Sequence, residues 1–254
     1  MSWATNYLCP AIGLAINTVM WYVPLKPVLE ARRTKKMGDL NPLPYTITLA
    51  NCVGWTVYGL LLQNEFVFWS NMTGIAFGLY YTVTCMGVLY SQTLPGEPLD
   101  KILQYMEYML YGGTMYWVIL GFVAAVAYEN NLSKQQEIFG TSSMICSVLY
   151  YAAPLTSLYK VIATKDASSL YAPLICVNMT ASTMWTIYGF AIGNVNIIVP
   201  NVIGVALCTS QLILLAIFGR KTVPGDDKKQ KLFESSPATD NVLHAEVTGT
   251  TTMA

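Results

Sequence analysis

Two tryptophans and two asparagines are the residues best suited to meet a neutral polar solute. Trp55 opens WTVYG (residues 55–59) and Trp185 opens WTIYG (185–189), while Asn71 opens NMTG and Asn201 closes VPN. Both pairs are separated by the same 130 residues. An indole is a flat apolar plate with one N–H donor, and a carboxamide adds two donors and an acceptor. Together they suit a ring with C–H faces and a hydroxylated edge. Blander roles exist for each: tryptophan anchors at membrane interfaces, and amides hold transmembrane helices together at about 0.6 kcal/mol per bond. An amide left without partners in an apolar interior costs on the order of a few kcal/mol, so each must bond something.

Other chemistry is missing. There is no Walker motif, no nucleophile elbow and no histidine-containing catalytic set, the single histidine being His244 near the C-terminus. The cysteines (Cys9, Cys52, Cys85, Cys146, Cys176, Cys208) form no CxxC pair and read as small packing residues. Neither an enzyme, a cofactor nor a metal is expected, and a net charge of zero gives no case for nucleic acid.

The elements that must position these residues are membrane spans. The chain is 54% hydrophobic and 11% charged, with a mean hydropathy of +0.44. A hydrocarbon core of roughly 30 Å needs about 20 apolar residues per crossing. Seven runs qualify, at about 6–25, 44–62, 66–88, 108–127, 141–159, 172–192 and 196–218. The first lacks a basic leading region and is followed, not preceded, by Arg32 and Arg33, so it reads as a retained span. Trp55 and Trp185 lie about 17 Å beyond the prolines that open the second and sixth runs, at 1.5 Å per residue. That depth passes the bilayer midplane and argues against interfacial anchoring.

Sliding the chain by 130 residues aligns far more than the pentapeptides. Pro24-Leu25 falls on Pro154-Leu155, Thr34-Lys35 on Thr164-Lys165, Tyr58-Gly59 on Tyr188-Gly189, and Gly74 on Gly204. Each copy holds three spans. Three crossings end on the side opposite their start, so a second copy in the same orientation needs one more crossing, which the fourth run supplies. The expected fold is an all-α membrane protein: seven transmembrane helices as two parallel triple-helix bundles joined by a linker helix, 3+1+3. Its parts are 1–90, 91–136 with the fourth span, 137–220, and a tail at 221–254 too polar to order itself. Two like halves around one central site suit a transporter opening alternately to each side, more than a seven-span receptor.

Lysine and arginine crowd the connections after spans one, five and seven, and are sparse after two and six. The positive-inside rule then puts the N-terminus outside and the tail in the cytosol. The connection SQTLPGEPLDK, neutral to acidic, is the exception. Asn131-Leu-Ser133 matches a glycosylation sequon in an outer loop, a motif common by chance. Pro24, Pro44, Pro154 and Pro173 fall near the cytosolic ends of four spans, where each punctuates a helix and the set can serve as hinges of an inner gate. Gly74 and Gly78 fit close helix packing. Tyr58-Gly59 and Tyr188-Gly189 are expected to set packing at the outer helix ends. Proton-driven carriers keep Asp, Glu or His within their spans; the spans of both repeats lack them, which leaves downhill transport.

The residues resemble the SWEET family of eukaryotic sugar transporters over about residues 7–219. Pro44-Tyr45 with LANC, NMTG, AAPL ending at Leu155, WTIYG, and VPN ending at Asn201 carry the resemblance. It implies a mono- or disaccharide site lined by Asn71, Asn201, Trp185 and Trp55, to which Asn51 of LANC is added, and hinge motion supported by four prolines. On the family's spacing the fourth proline falls on Tyr171, two residues before Pro173. The reading is a facilitative, bidirectional sugar uniporter in the lipid bilayer, most naturally the plasma membrane, with homo-oligomers implied by the resemblance. The rival is an amino-acid carrier of the PQ-loop type, which has Pro-Gln where this chain has Pro24-Leu25 and Pro154-Leu155.

Overall fold

The structure is a computed structural model that describes residues 3–38, 40–94, 96 and 98–219. The tail expected at 221–254 lies outside the described residues. Regular structure among them is entirely helical. A π-type turn, Ala4–Leu8, leads into α1 (Cys9–Tyr22), followed by α2 (Leu25–Thr34), α3 (Leu43–Leu61), α4 (Glu65–Gln92) and α5 (Lys101–Ala127). Then come α6 (Leu132–Tyr150), α7 (Ala152–Thr164), α8 (Ala172–Ile192) and α9 (Val195–Phe218). Helices α1 and α2 make one crossing broken at Val23-Pro24, and α6 and α7 another broken at Tyr151, giving seven crossings in the 3+1+3 order.

Several helices outrun their apolar runs. The fourth crossing starts at Lys101 and the fifth spans Leu132–Thr164, because amphipathic turns extend the apolar segment at its ends. Five stretches are long and apolar enough to cross a membrane on length and composition: Ala4–Thr34, Glu65–Gln92, Lys101–Ala127, Leu132–Thr164 and Val195–Phe218. The helices outside that set, α3 and α8, carry the two tryptophans. Part of α3's interior face is small or polar, with Thr46, Gly54, Thr56 and Gly59 all buried, which lowers its hydropathy.

The internal repeat extends to the backbone. Lys35 and Lys165, mates at 130 residues, both close their helices in the left-handed region, at φ 56° and 51°. Gln63 and Gly193, also mates, adopt φ 54° and 66° in the α3–α4 and α8–α9 turns. A left-handed L-residue costs roughly 1–2 kcal/mol, so Gln63 is held there by the turn rather than by preference. Asn64 and Asn194 follow, each accepting a backbone N–H from its own next helix, Val67 N at 3.1 Å and Ile197 N at 3.2 Å. These are N-caps at mate positions.

Small residues let the hairpins close. A Cβ on Gly59 would lie 2.7 Å from Phe68 N, and one on Gly189 would lie 3.1 Å from Ile198 N. Gly74 and Gly204 do the same service deeper in. The first packs on Cys52 and Trp21, the second on Ser182 and Tyr151, which are again mates. The Trp21 indole donates to Ser70 O at 3.3 Å, and the Tyr151 hydroxyl to Pro200 O at 2.7 Å.

Within each half α1 packs on α4, and α6 on α9. The halves meet through α1 on α8 and α3 on α6. The connector α5 leans on α3, α4 and α6. Helices α2 and α7 touch only their own half. The molecule therefore has a hairpin end, where α3 turns into α4 and α8 into α9 and the halves are joined. At the opposite, tail end, where α9 finishes, α2 and α7 stand apart.

Candidate functional site

Trp55 on α3 and Trp185 on α8 are both buried and belong to one core cluster with Tyr58, Tyr188, Val67 and Ile197. Each indole meets the tyrosine one turn on edge to face, Trp55 on Tyr58 at 5.8 Å and Trp185 on Tyr188 at 6.0 Å. Three residues along a helix bring side chains to one face, so the pentapeptide spacing creates these pairs.

Asn71 on α4 and Asn201 on α9 are half-buried. Each donates its Nδ2 to the carbonyl one turn back in its own helix, Val67 O and Ile197 O, both at 2.8 Å. Those two carbonyl residues are members of the tryptophan cluster, so both amides are tethered at its edge. Their Oδ1 atoms have no hydrogen-bond partner among the described residues. Tethered amides with an acceptor to spare can serve a hydroxylated solute without first breaking a bond between helices.

The two tryptophans differ in their bonding. Trp55 Nε1 donates to Ser147 Oγ at 2.8 Å, and Ser147 in turn donates to Asn51 Oδ1 at 3.0 Å, so Asn51 joins a chain from α3 to α6 and back. Trp185 Nε1 is enclosed without a partner. It lies against Gly13 of α1, where an added Cβ would come within 2.8 Å of the nitrogen.

The sequence reading missed a crossed clasp at the hairpin end. The Tyr58 hydroxyl accepts from Asn194 Nδ2 at 2.7 Å and Asn196 Nδ2 at 3.2 Å. Reciprocally, Asn64 Nδ2 donates to the Tyr188 hydroxyl at 2.6 Å. Each capping asparagine thus holds its own helix with Oδ1 and the other half with Nδ2. The register that aligns Tyr58 with Tyr188 also aligns Asn64 with Asn194, two turns that stand out in the sequence only for lacking lysine and arginine. Gly59 and Gly189 keep the tyrosine-bearing helices tight against their hairpin partners.

At the tail end the prolines sit at helix starts. Pro24 precedes α2, Pro154 falls in the first turn of α7, and Pro44 and Pro173 are each the second residue of their helices α3 and α8. Tyr171 stands before α8 in extended backbone, φ −108°, whereas Pro173, like Pro44, lies inside the first turn of its helix. A recess of about 460 Å³ opens along α2. A larger groove of about 570 Å³ lies between α3 and α5, away from the asparagines, with walls such as Leu49, Val53, Val57 and Val118 that offer a polar solute little. Asn131 caps α6, accepting Lys134 N at 3.0 Å, which places the sequon in a helix's first turn.

The family model described as "Sugar efflux transporter for intercellular exchange" matches residues 8–93 and 137–223. The chain belongs to the SWEET family. Its relatives include the sugar transporter SWEET1 of Drosophila pseudoobscura pseudoobscura, 28% identical over 199 residues, covering 77% of this chain and 81% of that one. The bidirectional sugar transporter SWEET5 of Arabidopsis thaliana is 27% identical over 224 residues, covering 87% and 89%. Among solved structures, the 3.7 Å structure of a eukaryotic SWEET transporter superposes with a TM-score of 0.72 at 20% identity, covering 84% of this chain and 96% of that one. SWEET proteins are transporters, not enzymes, and the two segments matched by the family model are the two copies of the repeat.

Proposed function

We propose that this SWEET protein is a facilitative, bidirectional sugar transporter that works by alternating access. Its sugar site lies between the halves. Trp55 and Trp185 offer apolar plates to the ring, while Asn71, Asn201 and Asn51 meet its hydroxyls. The observation that carries the reading is one-sided closure: the Tyr58–Asn194 and Tyr188–Asn64 clasp joins the halves at the hairpin end while α2 and α7 stand apart at the other. A pathway between them is open to one side only.

The units of the transporter are 1–90 and 137–220, with 91–136 as connector and 221–254 as tail. The hairpin end and N-terminus face outward and the tail end faces the cytosol, an orientation supported by Arg32 and Arg33 in the last turn of α2, Lys35 and Lys36 after it, and Lys160 and Lys165 near the end of α7. The membrane is the plasma membrane. One chain supplies both halves of the site, so the homo-oligomer implied by the family is not required for binding. Pro24, Pro44, Pro154 and Pro173 let the tail-end segments swing. Helices α3, α4, α8 and α9 carry a single charged residue, Glu65 at the start of α4, which leaves the ammonium and carboxylate of an amino acid unanswered within the bilayer.

Uptake of labelled glucose, fructose and sucrose into liposomes holding the purified protein, with and without a pH gradient, tests this. Downhill flux of at least one sugar, unchanged by the gradient, is expected. Absence of flux for all of them overturns the reading, and accumulation driven by the gradient overturns uniport. Asn201→Ala is expected to cut flux more than about tenfold, the order of one lost charge-free bond pair, without unfolding the protein, because its amide bonds only its own helix.

A further inference from the structure

Helix α2 turns one stripe toward the recess, Leu25, Lys26, Leu29, Glu30 and Arg33, with Tyr22 at the end of α1 beside it. The spacing is that of a single helix face. Its back, Val28 and Ala31, is buried on α4 at 0% and 4% exposure. The repeat predicts the same division on α7, and it holds. Leu158 and Val161, mates of Val28 and Ala31, are buried, while Leu155, Tyr159 and Lys160, mates of Leu25, Leu29 and Glu30, are exposed. Packed at the back on α4 and α9, α2 and α7 leave these stripes uncovered, and an axis along the membrane normal makes them mates at the open tail end.

The charges at one mate position are opposite. Glu30 on α2 corresponds to Lys160 on α7, although the flanking pairs Leu25/Leu155 and Thr34-Lys35/Thr164-Lys165 are identical. Like charges at mate positions would repel when the stripes meet across the axis. A single chain with two copies can place opposite signs there. At present Glu30 pairs within its own helix, Oε1 to Arg33 Nη2 at 2.8 Å, on the exposed surface. Lys160 has no ion-pair partner among the described residues.

We propose that when the tail end closes, Glu30 exchanges Arg33 for Lys160, and that this pair is the cross-bundle latch of the tail-side gate. Leu25 and Leu29 then pack against Leu155 and Tyr159 beside it as an apolar plug. The inference rests on alternating access, and its test separates the two. Glu30→Lys and Lys160→Glu are each expected to slow sugar flux by up to about fivefold, the ceiling for one exposed ion pair. The double exchange Glu30→Lys/Lys160→Glu is expected to be faster than either single. Singles equal to the parent, or a double no faster than its slower single, overturn the latch. A second readout does not depend on flux. In full-length protein with its native cysteines replaced, Glu30→Cys and Lys160→Cys are expected to be joined by a short bis-maleimide, each thiol adding across one of its double bonds, more so in the presence of a sugar the parent carries. Failure to join in protein that still transports overturns the latch alone. Absence of flux in the parent overturns the transport reading, whatever the cross-link shows.

Discussion

Trp55 and Trp185 look interchangeable by letter, depth and ring neighbour, and their indole nitrogens are not. Trp55 Nε1 is committed to Ser147, which also serves Asn51, whereas Trp185 Nε1 is buried with nothing to bond. An unpaired buried donor costs about 1–3 kcal/mol unless something arrives to accept it. Trp185→Phe is therefore expected to leave the melting temperature unchanged or raise it, while raising KM for sugar uptake several-fold. Trp55→Phe strands Ser147 and is expected to lower stability by about 1 kcal/mol, with a smaller effect on KM. Thermal unfolding and uptake kinetics of both variants check this, and matching profiles would refute the asymmetry. The repeat made both tryptophans legible, but it could not reveal the difference. The partner sits on the other half, at position 147, whose mate Asn17 turns instead to Ser70 Oγ at 2.9 Å.

Helix starts and stops were legible where one residue type forces them. Pro24 and Pro154 mark the breaks of the first and fifth crossings, since proline removes a backbone donor. The asparagine caps were not, because Asn64 and Asn194 have short side chains whose second bond depends on which helix lies opposite. That second bond is what makes α4 and α9 close the hairpin end. Tyr58→Phe removes the acceptor of Asn194 and Asn196, and Tyr188→Phe that of Asn64, while the caps to Val67 and Ile197 survive. Each lost neutral bond is worth about 1 kcal/mol, so the double variant is expected to populate a form open at the hairpin end. Spin labels at Glu65 and Val195, exposed mates at the starts of α4 and α9, read it as a longer second distance. An unchanged distribution means that the clasp does not hold that end shut.

At the scale of the whole molecule, counting crossings demanded a connector, but nothing in the sequence said where it would rest. Helix α5 rests mainly on α3 of the first half and reaches α6 of the second. Trp117 donates its Nε1 to Ala50 O at 2.8 Å and stacks on Phe139 of α6 at 6.0 Å. Its indole fills the space over Gly54, where any Cβ would collide with it and with Ser143. The repeat breaks here for that reason: the mate of Gly54 is Met184, on α8, which α5 does not touch. Two bundles of like fold thus differ at one glycine, which admits the Trp117 indole of α5 onto α3. Gly54→Ala is expected to destabilise the protein by about 1–3 kcal/mol, the usual cost of overpacking a filled interior, while the sugar KM of the folded fraction stays near the parent value. Restoring room with Trp117→Phe in the same chain should recover part of the stability. If Gly54→Ala melts with the parent, α5 is not seated through this contact and its place against α3 needs another explanation.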